Sequence, residues 1–396
     1  MAFPRSKFWH HLNERKYFRP MDDLNPDQMD WLVLNLVPGL GPRLTNALLE
    51  KFKTPRGIFD APLEQIASIP HMGFKIASKL KDSFKTVNAM QELNLMKQHG
   101  VQGISIVQND YPHWLRLIHD PPPYLYYNGL LSPRDENSIA IVGSRGCTDY
   151  GKKITRKLSA GLARAGWTIV SGLARGIDAS AHQGALDAGG RTIAVLAGGL
   201  SKIYPPEHAD LAREVAKAGA LITESHMLQE PLPGMFPARN RIISGYSKAV
   251  LLIEAAEKSG ALLTAVHASE QGKIVMAVPG AIDSPASAGT NSLIRKGAIL
   301  VRNVEDILEE LKSIPQLPAP DRNVKEEKIE TQATLFPPDL EGLELEIWKN
   351  LQQESLYLDQ FAQRFNLPVQ QIASALMMME MKKIVKRMPG NRFQLS

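Results

Sequence analysis

The sequence is short of cysteine, with a single one, Cys147, in 396 residues. One thiol cannot form an intramolecular disulfide or supply a multi-cysteine zinc site. Long apolar runs are absent too, since no stretch of about 18 uninterrupted apolar residues occurs. The first residues, MAFPRSK, lack the apolar core of a signal peptide. The sequence therefore predicts a cytoplasmic protein with no membrane insertion.

Composition is otherwise that of a globular protein. Hydrophobic residues make up 44% of the chain, so at least one large domain can bury a core. A length of 396 residues suits two to four domains. The formal net charge of +5 favours an acidic partner such as nucleic acid, although it does not identify one.

The first segment, residues 1–134, is predicted to be a helical domain with an extended lead-in to the next one. Apolar residues recur at helical spacing between residues 27 and 100. Two turns, VPGLGPR (37–43) and IPHMGFK (69–75), are similar to the hairpins of a SAM-like helix-hairpin-helix domain, with His71 where the first copy has Gly39. Such turns can meet a phosphate with their backbone N–H groups or can simply pack, and both interpretations stay open.

Residues 135–312 alternate short apolar runs with helical patterns. Seven runs qualify as strands: 139–142, 168–170, 192–196, 220–222, 249–253, 274–278 and 299–301. Short continuous apolar strands separated by helices predict an α/β domain with a Rossmann-like open, mainly parallel sheet, covered on both faces. Ligands of such sheets bind beyond the carboxyl ends of the strands, so the loops there are the candidate sites.

The loop after the first of these strands is glycine-rich, GSRGCTDYG (143–151), and leads into a helix with Lys152, Lys153, Arg156 and Lys157. It is not the G-x-G-x-x-G of dinucleotide-binding proteins. The second strand runs into Ser171-Gly172, where such proteins carry an acidic residue. No cofactor is therefore expected, and an arginine in this turn suits a phosphate-rich polymer better.

A second basic stretch is FPARNR (236–241), which is predicted to lie near the start of a helix. Its arginines could bind phosphate, or they could form internal salt bridges to Glu224 and Glu254. A third basic turn, GTNSLIRKGA, spans 289–298. If the fold gathers these loops, they form a surface that grips phosphates.

Two pairs, each of an acidic residue and a histidine, are candidates for acid–base or metal chemistry. Asp178 and His182 lie four residues apart on one predicted helix, where they could act as acid and base, bind a metal, or serve as an N-cap and an orienting hydrogen bond. Glu224 and His226 lack a third metal ligand. No catalytic group and no metal site is predicted.

Taken in order, these motifs resemble the DNA-processing protein A (DprA/Smf) family. The resemblance rests on GSR (143–145), SGLARGID (171–178), FPARNR (236–241), AVPG (277–280) and GTN (289–291). It implies a Rossmann-like domain that binds single-stranded DNA without a reaction, forms a homodimer through that domain, and loads the RecA recombinase in natural transformation. The binding residues it implies are Gly143, Ser144, Arg145, Lys202, Arg239, Asn240, Arg241, Thr264, Asn291, Arg295 and Lys296.

The last part of the chain is predicted to be a linker, 313–338, followed by a winged-helix domain, 339–396. The third helix of that domain has no Lys or Arg before Lys382, which argues against readout of bases in the major groove. Nonspecific phosphate contact by the wing stays open, through Lys382, Lys383, Lys386, Arg387 and Arg392.

Two alternatives compete with DNA binding. The first is an enzyme that hydrolyses or binds a nucleotide-derived small molecule, with Asp178, His182 or Glu254 as acid or base. Against it, the sequence contains no P-loop, no nucleophile elbow and no PGGxGT stretch of the cytokinin-activating hydrolases. The second is an adaptor whose terminal domains bind only proteins.

Overall fold

A computed structural model describes residues 26–312 and, further on, residues 343–351, 356–365, 367, 369–381, 384–388 and 392–395. The chain divides after Gln316 into two compact units. The predicted linker 313–338, the wing residues Lys382 and Lys383, and the predicted hairpin tip 389–391 lie outside the described residues.

The first unit begins with a group of short helices. They are α1 (Pro26–Asn35), α2 (Pro42–Phe52), α3 (Pro55–Asp60), α4 (Leu63–Ala67), α5 (Gly73–Thr86) and α6 (Ala89–His99). In the turn before α2, Gly39 has φ +79°, and in the turn before α5 the equivalent His71 has φ +66°. His71 therefore adopts the left-handed conformation that Gly39 takes in the first hairpin. The two turns differ at the next glycine, which has φ −78° at Gly41 and φ +59° at Gly73.

Strands and helices then alternate. In chain order they are β1 (Gln102–Ser105), α7 (His113–Arg116), β2 (Tyr124–Gly129), β3 (Ser138–Val142), α8 (Asp149–Arg164), β4 (Thr168–Ser171), α9 (Ile177–Asp187), β5 (Thr192–Val195), α10 (Ala209–Ala218), β6 (Ala220–Thr223), α11 (Met235–Tyr246), β7 (Ala249–Leu252), α12 (Ala261–Glu270), β8 (Ile274–Ala277), α13 (Ala288–Arg295), β9 (Ile299–Leu300) and α14 (Val304–Lys312).

These strands form one nine-stranded sheet with the order β1-β2-β6-β5-β4-β3-β7-β8-β9. Strands β3 to β9 run parallel, and β1 and β2 are antiparallel additions at the β6 edge. The predicted open, mainly parallel α/β sheet is confirmed. Successive strands after β3 first extend the sheet to one side and then, from β7, to the other. The topological switch point therefore lies between β3 and β7, where open α/β sheets bind ligands.

Side chains that alternate along the strands build a core on each face of the sheet. On one face, Ile139 and Leu251 pack with α8, α9 and α14. On the other, Ala140 and Val250 pack with α7, α11 and α12. A further core joins the helical segment to the sheet, since Trp31 and Leu32 of α1 belong to the same buried cluster as Leu196, just after β5, and Leu221 of β6.

One buried ion pair ties several segments together at the amino end of the sheet. Asp135 Oδ1 accepts from Arg191 Nε at 2.5 Å and from Thr168 Oγ1 at 3.1 Å. Its Oδ2 accepts from Arg191 Nη2 at 2.8 Å, Tyr246 OH at 3.2 Å and the Ser132 N–H at 3.0 Å. Both carboxylate oxygens are thus fully used by hydrogen bonds from four separate segments.

The second unit contains α15 (Leu343–Leu351), β10 (Leu356–Tyr357), α16 (Leu358–Phe365), α17 (Val369–Met381), β11 (Val385–Met388) and β12 (Arg392–Leu395). Its three strands form a sheet in the order β10-β12-β11. Ile347, Phe361, Ile372 and Phe393 are among its buried side chains. The predicted helices and hairpin strands are present, and β10 was not predicted.

No helix within the described part of the chain is both long enough and apolar enough to cross a lipid bilayer.

Candidate functional site

A cleft of about 560 Å³ opens at the switch point of the sheet. Its walls come from the loop after β3, the loop after β4, and the first turns of α11 and α12. The lining residues are Val142, Gly143, Ser144, Arg145, Gly146, Ala174, Asp178, Tyr204, Pro233, Phe236, Pro237, Arg239, Asn240, Ile243, Ser259, Gly260, Ala261 and Thr264. Residues far apart in the sequence meet here because the carboxyl ends of neighbouring parallel strands share one edge.

The rim of the cleft combines a cation with two aromatic rings. The guanidinium carbon of the exposed Arg145 lies 5.0 Å from the ring centroid of Phe236, a cation–π distance. The rings of Phe236 and Tyr204 are 5.7 Å apart and tilted by 59°. Within residues 26–312 Arg145 makes no ion pair, so its charge is available to a ligand.

Arg239 forms part of the floor, with only 6% of its surface exposed. Its Nη1 donates to the carbonyl oxygen of Gly172 at 2.7 Å and to that of Val195. Burial lowers the pKa of Arg239 to about 10, although the nearby Asp178 carboxylate favours the charged form. Arg239 is therefore still protonated at neutral pH and gives the cleft a positive floor.

Asp178 and His182 have structural partners. Asp178 Oδ2 accepts from the N–H groups of Gly172 at 3.2 Å and Ala174 at 3.4 Å, which braces the loop after β4. The N-cap of α9 is Gly176, so the predicted N-cap role of Asp178 is wrong, because the helix starts two residues earlier than that role requires. Burial raises the pKa of Asp178 and lowers that of the His182 imidazole to about 3, so this histidine is neutral at physiological pH.

Glu254, at the end of β7, holds the loop that carries Arg145. Its carboxylate accepts from the Thr148 N–H at 2.8 Å and from Thr148 Oγ1 at 2.6 Å. Its carbonyl oxygen accepts from the Ser144 N–H at 2.7 Å. A Cβ at Gly143 would lie 2.7 Å from that same carbonyl oxygen, so only glycine fits there. The loop is thus fixed at both ends against the neighbouring strand.

Arg241 faces away from the cleft. Its Nη2 donates to Glu224 Oε2, and its Nε lies 3.4 Å from Asp120 Oδ2. Burial raises the pKa of Glu224, and the Arg241 charge opposes that rise. The sequence left open whether this arginine binds phosphate or forms internal salt bridges to Glu224 and Glu254. In the structure it forms the salt bridge to Glu224, and its second acidic partner is Asp120 instead of Glu254.

The structure brings some of the predicted binding residues together and leaves others apart. Six line the cleft: Gly143, Ser144, Arg145, Arg239, Asn240 and Thr264. Besides Arg241, four do not. Lys202 is exposed and pairs with Glu230 at 2.7 Å. The Asn291 amide exchanges two hydrogen bonds of 3.1 Å with the backbone of Gly280. Arg295 and Lys296 are exposed at the C-terminal end of α13.

Sequence reasoning missed the aromatic part of the site. Neither Phe236 nor Tyr204 is among the residues that the sequence predicted to contact a ligand. The two residues that precede α12, Ser259 and Gly260, were likewise not proposed, yet they line the cleft. The available signal was that each of these residues lies in the segment between a parallel strand and the helix after it, or at the start of that helix.

Comparison with protein families assigns three parts of the chain. Residues 102–312 match the model of the DNA recombination-mediator protein A family. Residues 331–391 match the DprA winged helix domain, and residues 32–86 match the SAM-like helix-hairpin-helix tandem. The last two matches confirm the predicted helix-hairpin-helix and winged-helix parts of the fold.

Individual relatives agree with these matches. The chain is 35% identical to Protein Smf of Synechocystis sp. over 93% of its own length and 99% of that protein. It is 43% identical to the DNA processing protein DprA of Bacillus subtilis, over 58% of this chain and 75% of that one. The crystal structure of DNA processing protein A from Streptococcus pneumoniae superposes with a TM-score of 0.64 at 33% identity, covering 73% of this chain and 98% of the other.

Proposed function

The chain belongs to the DNA recombination-mediator protein A family, which includes the DprA and Smf proteins, and we propose that it binds single-stranded DNA in the cleft at the switch point of its sheet. Membership confirms the family resemblance of the sequence motifs. It also supports a role in DNA processing during transformation.

The observation that carries the proposal is the pairing of Arg145 with Arg239 in one cleft. Arg145 is exposed and has no acidic partner within residues 26–312, and Arg239 adds a buried positive charge to the floor. Phosphate oxygens are attracted by both charges, and guanidinium groups suit phosphate because they donate several hydrogen bonds in a fixed geometry.

The rim favours a single strand over a duplex. Unpaired bases can stack on aromatic side chains, and Tyr204 and Phe236 offer two rings beside Arg145. A cleft of about 560 Å³ is in the size range of small-ligand sites, which accommodates a nucleotide but not a base pair within a helix. Strand binding with little sequence preference is the expected behaviour, because each contact is to a phosphate or a π-face.

We further propose that binding occurs without catalysis. The groups considered as acid or base have structural hydrogen bonds: Asp178 braces the loop after β4, His182 contacts Thr192 Oγ1 at 2.7 Å, and Glu254 holds Thr148. Of the three, only Asp178 lines the cleft, and its Oδ2 is engaged by two backbone N–H groups. A search for products from nucleotides, with Glu254→Gln as the comparison, tests the competing hydrolase hypothesis.

The proposal includes two protein partners, a second copy of this chain and RecA. Family membership supports both, and exposed apolar side chains on one helix, Leu263 and Val266 of α12, support a contact with another protein. Light scattering of the full chain tests the homodimer. The rate at which RecA coats a strand in the presence of this protein tests RecA loading.

Arg145→Ala is expected to weaken binding of an oligo(dT) strand by about fivefold near 0.1 M salt. Loss of one phosphate contact also lowers the slope of log affinity against log salt by about 0.7. Fluorescence anisotropy at several salt concentrations measures both values.

Arg134→Ala serves as the control, because Arg134 is exposed in the segment that precedes β3, at the amino end of the sheet. It should leave affinity and slope unchanged. If Arg145→Ala keeps the wild-type affinity and slope while the protein stays folded, this cleft is not the binding site.

A further inference from the structure

A row of cations lies on the outer face of α8. Four exposed side chains contribute to it: Lys153, Arg156, Lys157 and Arg164. None of them makes an ion pair within the described residues. Four unneutralised positive charges on one helix face are a strong local attraction for a polyanion.

Helical geometry aligns these charges. At 3.6 residues per turn, Lys153, Lys157 and Arg164 project within roughly 40° of one another, and Arg156 lies about 60° from Lys153. The opposite side of the helix carries Leu158 and Leu162, which are buried against the sheet. With a rise of 1.5 Å per residue, the row from Lys153 to Arg164 is roughly 16 Å long.

The row continues directly from the cleft. Helix α8 starts at Asp149, four residues after Arg145, and its N-cap Thr148 is fixed by Glu254. The orientation of the first turn of α8 relative to the cleft is therefore set by the same carboxylate that holds the Arg145 loop. Lys153 follows in the second turn of α8, close in the chain to the loop that carries Arg145.

Most other surface cations near these loops are neutralised. Lys152 pairs with Asp149 at 3.1 Å, Arg175 with Glu207 at 2.5 Å and Lys202 with Glu230 at 2.7 Å. The acidic helix beside α8 is α14, where Asp306 pairs with Arg302 at 3.0 Å. No acidic side chain of α14 lies within 4.0 Å of the four α8 cations in the described part of the chain.

We infer that the outer face of α8 is a second binding segment for the same single strand. It binds the sugar–phosphate backbone of the part of the strand that leaves the cleft on the Arg145 side. This inference rests on the proposed function of the cleft. A length of roughly 16 Å corresponds to about five phosphates at the 3.4 Å spacing of one B-form strand, and to fewer in an extended one. The positive charge of the row and its continuity with the cleft both favour single-stranded DNA as its ligand.

The test compares two strand lengths with two matched double variants of the full chain. Lys153→Gln with Lys157→Gln removes two charges from α8. Arg213→Gln with Lys217→Gln removes two charges at the same spacing from α10 and is the control. Each protein is titrated with labelled dT20 at several salt concentrations, and dT4 is measured by competition.

The α8 variant is expected to bind dT20 about 25-fold more weakly near 0.1 M salt, with a salt slope lower by about 1.4, since each lost phosphate contact contributes about 0.7. Its affinity for the short strand dT4, bound at the cleft, should equal that of the wild type. The α10 variant should behave as the wild type with both strands.

Three results would overturn the inference, and they separate it from the proposed function. Unchanged dT20 binding by the α8 variant, with weaker binding of both strands by Arg145→Ala, removes the α8 segment and keeps the cleft. Equal weakening by the α8 and α10 variants means that only net charge matters. If Arg145→Ala binds both strands as the wild type does, the cleft is not the site, and the α8 segment has no cleft to extend.

Discussion

Gly172→Ala is expected to weaken binding of single-stranded DNA by at least about tenfold and to destabilise the protein. A Cβ at this position would lie 2.5 Å from Nη1 of Arg239, so the guanidinium has to leave the carbonyl oxygens of Gly172 and Val195. The buried Asp178 then loses the charge that offsets its burial. A displaced guanidinium also loses its hydrogen bond to a phosphate of the strand. One charge-assisted hydrogen bond of this kind contributes roughly 1.5–3 kcal/mol to binding, which corresponds to at least about a tenfold change in affinity.

Gly234→Ala is the matched control. Gly234 is the N-cap of α11, has φ −67°, and has no atom within 4 Å of a Cβ built on it. It should leave the affinity and the denaturation midpoint close to those of the wild type. Full affinity in Gly172→Ala, measured by anisotropy on protein with an unchanged midpoint, would mean that the buried Arg239 charge plays no part in binding.

Asp135→Ala is expected to lower the free energy of unfolding by roughly 3–5 kcal/mol, the cost of leaving one partner of a buried ion pair alone. The side chains of Asp135 and Arg191 are 6% and 18% exposed, so water cannot replace most of the lost contacts. Tyr246 and Thr168 also lose their hydrogen-bond acceptor. Urea denaturation followed by tryptophan fluorescence measures the change.

Glu136→Ala provides the comparison, because the neighbouring carboxylate is exposed. Its effect should stay within about 0.5 kcal/mol. Asp135→Asn should fall between the two, since the amide keeps the size but not the charge. If Asp135→Ala unfolds at the same urea concentration as Glu136→Ala, the ion pair contributes little and the amino end of the sheet is held by its apolar core alone.

Local sequence patterns were enough to predict the parallel sheet. The apolar runs at 168–170 and 249–253 became β4 and β7, because a strand buried on both faces needs continuous apolar residues. The lead-in between the helical segment and the sheet was predicted only to be extended, and part of it forms β2, antiparallel to β6. Pairing of that strand depends on contacts with a segment about 95 residues away, which no local pattern records.

The sequence predicted which loops contribute residues to the candidate site. It did not predict which side chains of the site are buried or what surrounds them. The strand-to-helix position of Arg145 follows from its place after an apolar run. The different environments of Arg239 and Arg241 do not, because these two residues of one turn lie on opposite sides of α11, one at the cleft and the other at Asp120 and Glu224. Their separation appears only when the three-dimensional neighbours of α11 are known.

The apolar cluster that joins α1 to the sheet has a consequence for dissection of the chain. Trp31 is 6% exposed and Leu32 is fully covered, in the same cluster as Leu196 and Leu221. A fragment that starts at residue 102 would present this surface to water, with aggregation as the expected outcome. The amino-terminal helices therefore cover this face of the sheet, and their removal is expected to expose it.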